Sequence, residues 1–239
     1  MKPLKNNQPA EKTSLLHSGD LEINSIFFTI QGEGLFAGRR ALFIRLAGCN
    51  IQCQGCDTEY SNRTLMNLGV MHRKITQEYK KQIKVQNTYT ESKMLAVITG
   101  GEPFRQNLNP LIEMLLDEDF DVQIETNGTL YQELPFHNIT IVCSPKTGRI
   151  NEKLYPHIDA FKYVITAGQV DVDGLPLSVL GHPVKNAVAK PRPGSKIYVQ
   201  AADEQDIKLN KANLMQTIES VQTFGYTLCV QLHKIVGLE

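Results

Sequence analysis

The stretch Leu46-Ala47-Gly48-Cys49-Asn50-Ile51-Gln52-Cys53-Gln54-Gly55-Cys56-Asp57-Thr58-Glu59-Tyr60-Ser61-Asn62 decides how this chain is read. Three of the five cysteines fall in it, Cys49, Cys53 and Cys56, spaced C-x3-C-x2-C. Three thiolates on one short loop can hold a cubic iron–sulfur cluster by three of its four irons, leaving the fourth iron open. A cluster that only carries electrons takes four cysteines, and structural zinc closes its shell with four ligands. Two other readings stand beside this one. One is a zinc loop completed by a distant His or Cys. The other is a disulfide framework, which fits badly with an odd cysteine count and an N-terminus without an apolar signal core.

Before the loop, Ala41 to Leu46 reads as a strand, with Arg45 between Ile44 and Leu46. An arginine inside a buried strand needs an anion or a carboxylate; the alternative is an edge position open to water. After the loop, Thr58 either caps it or offers its hydroxyl to a hard cation such as Mg²⁺. Upstream, Leu21 to Ile30 is apolar-rich and reads as a strand ended by Gln31-Gly32-Glu33-Gly34. Two glycines around a carboxylate mark either a plain hairpin turn or a place where backbone approaches a ligand. Met1 to Asp20 is polar and is expected as a mobile tail, leaving 21–239 as one domain.

Downstream, Leu95 to Thr99 is a strand followed by Gly100-Gly101-Glu102-Pro103, where a glycine pair lets a ligand touch backbone and Glu102 can accept from an ammonium group. Asn109-Pro110 opens a helix with Leu111, Ile112, Leu115 and Leu116 on its apolar face. Further strands are expected at Asp121 to Thr126, Ile139 to Cys143, Ala160 to Ile165, Lys196 to Gln200 and Thr227 to Leu232, and a helix at Ile207 to Phe224 stopped by Gly225. That helix is expected to bury Leu214, Met215, Ile218 and Val221. Cys143 and Cys229 read as buried small hydrophobes, Lys162 as an outward-facing strand residue, and His233 as surface or capping. Arg63 to Met94 reads as a variable insertion with one weak helix near Thr76 to Ile83, and Thr166 to Gly194 as a long connection. Strand, turn and helix in repetition point to a mostly parallel sheet, curled as a partial α/β barrel, with ligand turns at the carboxyl ends of its strands.

The chain has 239 residues, 41% apolar and 21% charged, with 25 basic against 25 acidic side chains. Zero net charge argues against direct nucleic-acid binding. No apolar run approaches the ~20 residues that span a bilayer. Free thiols and the absence of a signal core place the expected home in the cytoplasm.

Taken in order, these motifs resemble the 7-carboxy-7-deazaguanine synthase family of radical S-adenosylmethionine (SAM) enzymes. The resemblance is carried by residues 28–34, 43–46, 48–58, 98–103, 123–129, 144–146 and 231–234. It implies a radical SAM-type partial α/β barrel. It also implies that Cys49, Cys53 and Cys56 ligate a 4Fe-4S cluster whose open iron is chelated by SAM. Gly55, Cys56, Asp57, Gly101 and Ser144-Pro145-Lys146 would lie against SAM, as would Gln200-Ala201-Ala202-Asp203, although the family often has Gln-Pro at the last of these turns. Ile30, Gln31 and Gly32 would line a pterin pocket with Arg45 and Thr99, Glu33 would meet the pterin's amino edge, and Thr58 would bind Mg²⁺ together with the substrate carboxylate. The implied reaction converts 6-carboxy-5,6,7,8-tetrahydropterin to 7-carboxy-7-deazaguanine. An adenosyl radical takes hydrogen from C6, the ring contracts, the hydrogen returns and ammonia is lost, within queuosine and deazapurine biosynthesis. A homodimer and an electron donor such as flavodoxin or ferredoxin are also implied. Some family members end on a proline that reaches substrate, a role Glu239 does not inherit. Two other readings compete. A glycyl-radical activase shares the cysteine spacing but leaves Gln31 to Gly34 and Arg45 unexplained. A sensing module without turnover predicts a full ligand set.

Overall fold

Nine strands form one sheet in the computed structural model, which describes residues 6–14, 19–82, 93–180 and 188–238. They are β1 (Leu21–Ile30), β2 (Arg40–Leu46), β3 (Thr64–Met66), β4 (Leu95–Gly100), β5 (Asp121–Thr126), β6 (Ile139–Cys143), β7 (Ala160–Ile165), β8 (Lys196–Ala201) and β9 (Thr227–Cys229), in the spatial order β3-β1-β2-β4-β5-β6-β7-β8-β9. From β2 to β9 every pairing is parallel. Strand β1 is antiparallel to both β2 and β3. This is the mostly parallel, partial α/β barrel expected from the sequence.

Parallel strands buried on both faces read as continuous apolar runs, and Leu95, Ala96, Val97 and Ile98 of β4 are all fully buried. Helices α1 (Leu68–Gln82), α2 (Asn109–Asp117), α3 (Ile207–Phe224) and α4 (Leu232–Val236) complete the regular structure of the described residues. Pro110 stands in the first turn of α2, where its missing N–H costs nothing. Leu111, Ile112 and Leu115 of α2 join Leu42, Ile44, Ile98 and Ile124 in one apolar core. A second core gathers Cys143, Tyr163, Ile165, Leu175 and Val199.

Several expectations are corrected. The stretch from Arg63 holds a strand and a long helix, because Thr64 and Met66 pair with β1 and α1 buries Met71 and Ile75 against the first core. Ile83 lies outside the described residues, as does the 181–187 part of the long connection after β7. The last strand stops at Cys229 rather than Leu232 and is followed by the one-turn helix α4. Between β5 and β6 and between β6 and β7 only single 3-10 turns occur, at Phe136–Asn138 and Tyr155–His157.

Helix α3 turns inward a face that only partly matches the one expected: Val221 packs against the second core. Its buried residues are Asn213, Thr217 and Ser220, while Leu214 and Met215 are exposed. The reason is the surface beneath it. Asn213 accepts from the Ala167 amide at 2.8 Å and donates to the Ala202 carbonyl at 3.0 Å, and Ser220 donates to the Gly174 carbonyl at 2.9 Å. Irregular backbone needs polar partners, and this helix supplies them. Residues 6–14, read as part of a mobile tail, lie across the cysteine loop, with the Glu11 amide donating to the Cys49 carbonyl at 2.7 Å. No helix of the described residues is long and apolar enough to cross a membrane.

Candidate active site

A cavity of about 650 Å³ runs along the inner face of the sheet. Strand register explains who faces it. Arg45 is level with Thr99 across β2 and β4, and Glu125 with Val142 across β5 and β6. Ile98 is level with Ile124 across β4 and β5, so Thr99 and Glu125 stand side by side. Because side chains alternate along a strand, Arg45, Thr99, Glu125 and Val142 form one row into the cavity. On the next two strands, β7 and β8, Val164 is level with Gln200 and both line the same space.

At the carboxyl end of β2 the thiols of Cys49, Cys53 and Cys56 open onto the cavity. All five cysteines of the chain are free. Burial pushes the Cys49 thiol up to about 12, and raises Cys53 and Cys56 as well. Two buried thiols and a half-buried third, shifted this way, hold their protons unless iron supplies the compensating charge. Among the described residues no three His, Cys, Asp or Glu side chains are grouped as a single metal ion would group them. Three soft thiol donors from one short loop, opening together onto one cavity, suit an iron–sulfur cubane held at three of its irons.

The loop rests on the glycine pair. The Gly101 amide donates to the Leu46 carbonyl at 3.2 Å. A Cβ at Gly100 would stand 2.1 Å from the Leu46 carbonyl oxygen and one at Gly101 would stand 2.0 Å from that of Gly48. Gly100 also has a φ of 130°, which side chains rarely adopt. Glu102 turns away from the cavity. It accepts from the Phe104 amide at 3.1 Å, the Thr126 hydroxyl at 2.7 Å and the Asn127 amide at 2.7 Å, and burial raises it to about 7. It therefore fastens β4 to the end of β5 rather than waiting for an ammonium group. Lys146 reaches back to the Ser144 carbonyl at 3.2 Å; burial lowers its pKa, while the neighbouring Cys53 works the other way.

The other end of the cavity is built from carboxylates and cations. Ile30 is paired with Arg40 at the start of β2, so Gln31 to Glu33 begin at the end of β1 opposite the cysteine loop. Gln31 donates to Glu125 at 3.1 Å, which also accepts from Thr99 at 3.2 Å and Gln123 at 3.0 Å. Glu33 is ion-paired with Lys162 and accepts from Gln231 at 2.9 Å. Burial alone would raise the Glu33 carboxyl, but Lys162 outweighs it and holds the group at about 2. Burial opposes the Lys162 charge in turn, yet Glu33 and Glu125 carry its pKa above the ordinary lysine range. Arg45 lies over the Phe27 ring at 5.8 Å and its Nη1 is 3.5 Å from the Thr58 hydroxyl. Among the described residues it makes no salt bridge, so its charge remains available to an anion in the cavity.

Of the residues nominated from sequence, all but Gly32, Pro145 and Ala202 line this one space. Gly32 is covered by the C-terminal turn: its carbonyl accepts from the Leu232 amide at 3.0 Å, and a Cβ on it would fall 2.0 Å from the His233 ring. Ala202 is buried and donates its amide to Ile165 at 2.9 Å. Asp203 reaches the cavity rim, where Lys234 at 2.7 Å chiefly holds it down at about 2. Lys162 faces inward, contrary to expectation. Glu125, Lys162, Gln231 and His233 line the cavity and were not nominated. A lysine between Phe161 and Tyr163 in a buried strand poses the same demand for a counter-charge as Arg45, and that signal was available.

Residues 30–144 match the family model described as a 4Fe-4S single cluster domain. The 7-carboxy-7-deazaguanine synthase of Rhodospirillum rubrum is 39% identical over 231 residues, covering 91% of this chain and 92% of the relative. That of Rickettsia prowazekii is 40% identical over 236 residues, covering 95% and 94%. Among solved structures, QueE from Escherichia coli superposes with a TM-score of 0.65 at 23% identity, over 90% of this chain and 95% of that one. That likeness establishes a shared fold.

Proposed function

The chain belongs to the 7-carboxy-7-deazaguanine synthase family of radical SAM enzymes, and from that membership we propose how its residues divide the work. The reaction is conversion of 6-carboxy-5,6,7,8-tetrahydropterin to 7-carboxy-7-deazaguanine with loss of ammonia. The observation that carries this reading is the sharing of one cavity by the three thiols at one end and the Arg45–Thr99–Glu125 row beyond them. Cys49, Cys53 and Cys56 hold the 4Fe-4S cluster. Gly55, Asp57, Gly101, Ser144, Lys146 and the Gln200–Ala201 turn lie where SAM would occupy the cavity beside it. When bound, the cluster and SAM supply one-electron cleavage of the sulfonium and the carbon radical that takes hydrogen from C6 of the pterin.

The chain's own task is to bring C6 to that radical and to keep water away. Arg45 takes the substrate carboxylate, a charge-assisted contact that fixes orientation. Glu33, held ionised by Lys162, and Glu125 face the pterin's amino edge. Holding the reacting atoms in register is worth many orders of magnitude in rate. Mg²⁺ is proposed at the Thr58 hydroxyl with the substrate carboxylate as its second oxygen ligand. Asp57 Oδ1, 3.4 Å from that hydroxyl, supports an oxygen-rich site. The nearby Arg45 guanidinium is tolerable to a cation only when the substrate carboxylate lies between them.

A homodimer is proposed through the exposed apolar side chains of α3, the edge strand β9 and α4. Met215 at 58%, Leu228 at 40% and Ile235 at 70% exposure support it. A low-potential donor, flavodoxin or ferredoxin, in a reducing cytoplasm completes the scheme. The test is anaerobic reconstitution with reductant, SAM, Mg²⁺ and carboxytetrahydropterin, with mass detection of carboxydeazaguanine. SAM cleavage without that product would reject the substrate assignment.

A further inference from the structure

Residues 6–14 do not line the cavity, yet they bind the backbone of the cysteine loop. The Asn6 amide donates to the Gln54 carbonyl at 2.9 Å, and its side chain donates to the Cys53 carbonyl at 3.0 Å. Ala10 bridges to Cys49, and the Glu11 amide donates to the Cys49 carbonyl at 2.7 Å. Gln8 works in both directions. Its Nε2 donates to the Thr58 carbonyl at 2.9 Å, while its Oε1 accepts from the Ser61 amide at 3.0 Å and also from that of Tyr60. Tyr60, 1% exposed, packs beside Cys49, Ile51 and Cys53 and donates its hydroxyl to the Gln8 carbonyl at 3.2 Å.

The far end of the segment is anchored beneath the same loop. The Ser14 amide donates to the Arg105 carbonyl at 2.8 Å, and Arg105 Nη1 donates to the Lys12 carbonyl at 2.8 Å. Glu11 pairs with Arg63 and Arg105. The Arg105 guanidinium, 3% exposed, lies so close under Gly48 that a Cβ there would be 2.2 Å from it. Irregular loop backbone must satisfy its polar groups with protein or with water. Here protein takes that place at Cys49, Cys53, Gln54 and Thr58. Groups outside the ligand shell orient the ligands, and hydrogen bonding and solvent exposure set a cluster's properties.

We propose that residues 6–14 are a clamp on the cluster loop, with Gln8 as its positioning residue, and that the clamp retains the cluster by fixing the ligand loop and excluding water from its outer side. This rests on the cluster reading above. The test uses the reconstituted full chain, kept free of oxygen and challenged with a ferrous chelator while the cluster's visible absorbance is followed. Gln8→Ala is expected to lose its cluster about tenfold faster than the unaltered protein, the low end of the range for residues that orient metal ligands. Its cluster-free form is expected to melt within about 2 °C of the unaltered one. Gln8→Glu, which keeps the acceptor for Ser61 but not the donor to Thr58, falls between. Asn6→Ala tests the other end of the strap in the same way. Unchanged loss rates in both alanine variants overturn the clamp while leaving the cluster assignment intact. Faster loss matched by a large fall in the cluster-free melting point also overturns it, since that pattern belongs to general destabilisation. An unaltered chain that takes up no cluster overturns both.

Discussion

Replacing Lys162 by methionine tests the charge arithmetic of the cavity. Lys162 and Glu33 are 12% and 14% exposed as side chains, so both charges are almost out of water. Removing one partner of a buried pair costs about 3–5 kcal/mol, because the other is left uncompensated. For a chain of this size that is a fall of roughly 10 °C in melting point. The sign with pH follows from the shifts. In the unaltered protein Glu33 is depressed from 4.5 to about 2, so its contribution is present above about 4.5 and is lost only as pH falls through about 2. Lys162 is raised, so its contribution is present below the ordinary lysine value of 10.5 and is lost only above it. The pair is therefore indifferent to pH between about 5 and 8. In Lys162→Met, burial is the largest influence on Glu33 and is opposed only by Gln231 and His233, so the Glu33 pKa rises. The penalty is then largest at alkaline pH and shrinks on acidification, by up to about 1.4 kcal/mol per pH unit. Thermal unfolding of the cluster-free protein at about pH 8 and about pH 5.5 reads this directly. Adding Glu33→Gln to Lys162→Met is expected to recover most of the loss at the higher pH. Equal losses at the two pH values, or no recovery in the double variant, would refute the reasoning.

Three further outcomes are expected. Cys53→Ala loses one iron ligand, and iron analysis with the product assay should find a depleted cluster and no turnover; retained turnover sinks the cluster assignment. Arg45→Met removes a charge-assisted contact worth about 1.5–3 kcal/mol, so KM for the pterin should rise about 10- to 150-fold while SAM affinity stays put. A KM that does not move shows that Arg45 serves something other than the substrate carboxylate. Gly101→Ala places a methyl 2.0 Å from the Gly48 carbonyl oxygen, and the forced shift of the cysteine loop should cost about 1–3 kcal/mol and weaken SAM binding. Unchanged SAM affinity by calorimetry would show that the loop yields without consequence.

Much of the strand framework was legible because a parallel sheet writes itself as short apolar runs ended by glycine and polar turns. Leu95 to Ile98 and Ile139 to Cys143 are plain examples. The cysteine loop and the glycine pair were legible because few other structures need those residues at that spacing. The clamp was not. Its contacts are side-chain amides to backbone, and a segment such as Asn6 to Ser14 has the composition of a disordered tail whether or not a loop lies ready to receive it. The buried face of α3 was only partly legible for a related reason: periodicity marks apolar residues, whereas this helix packs on irregular backbone that wants Asn213 and Ser220. Lys162 and Glu125 belong to a third case. Each is a charge in a buried strand, and its meaning depends on which residues of other strands share its level, a matter of register that no single segment records.

The turn after β1, Gln31 to Gly34, meets the end of β9 and the turn beyond it. The Gly34 amide points at the Cys229 sulfur at 3.2 Å, the Leu232 amide at the Gly32 carbonyl at 3.0 Å, and Gln231 at Glu33 at 2.9 Å. What joins these elements is thus a clasp of separate contacts instead of a ladder, and half of the clasp is the turn proposed to meet the substrate. Damage to the carboxyl-terminal turn is transmitted straight to Glu33 and Lys162, although both lie far from it along the chain. Trimming the chain before Gln231 should therefore blunt pterin affinity while leaving the iron site loaded.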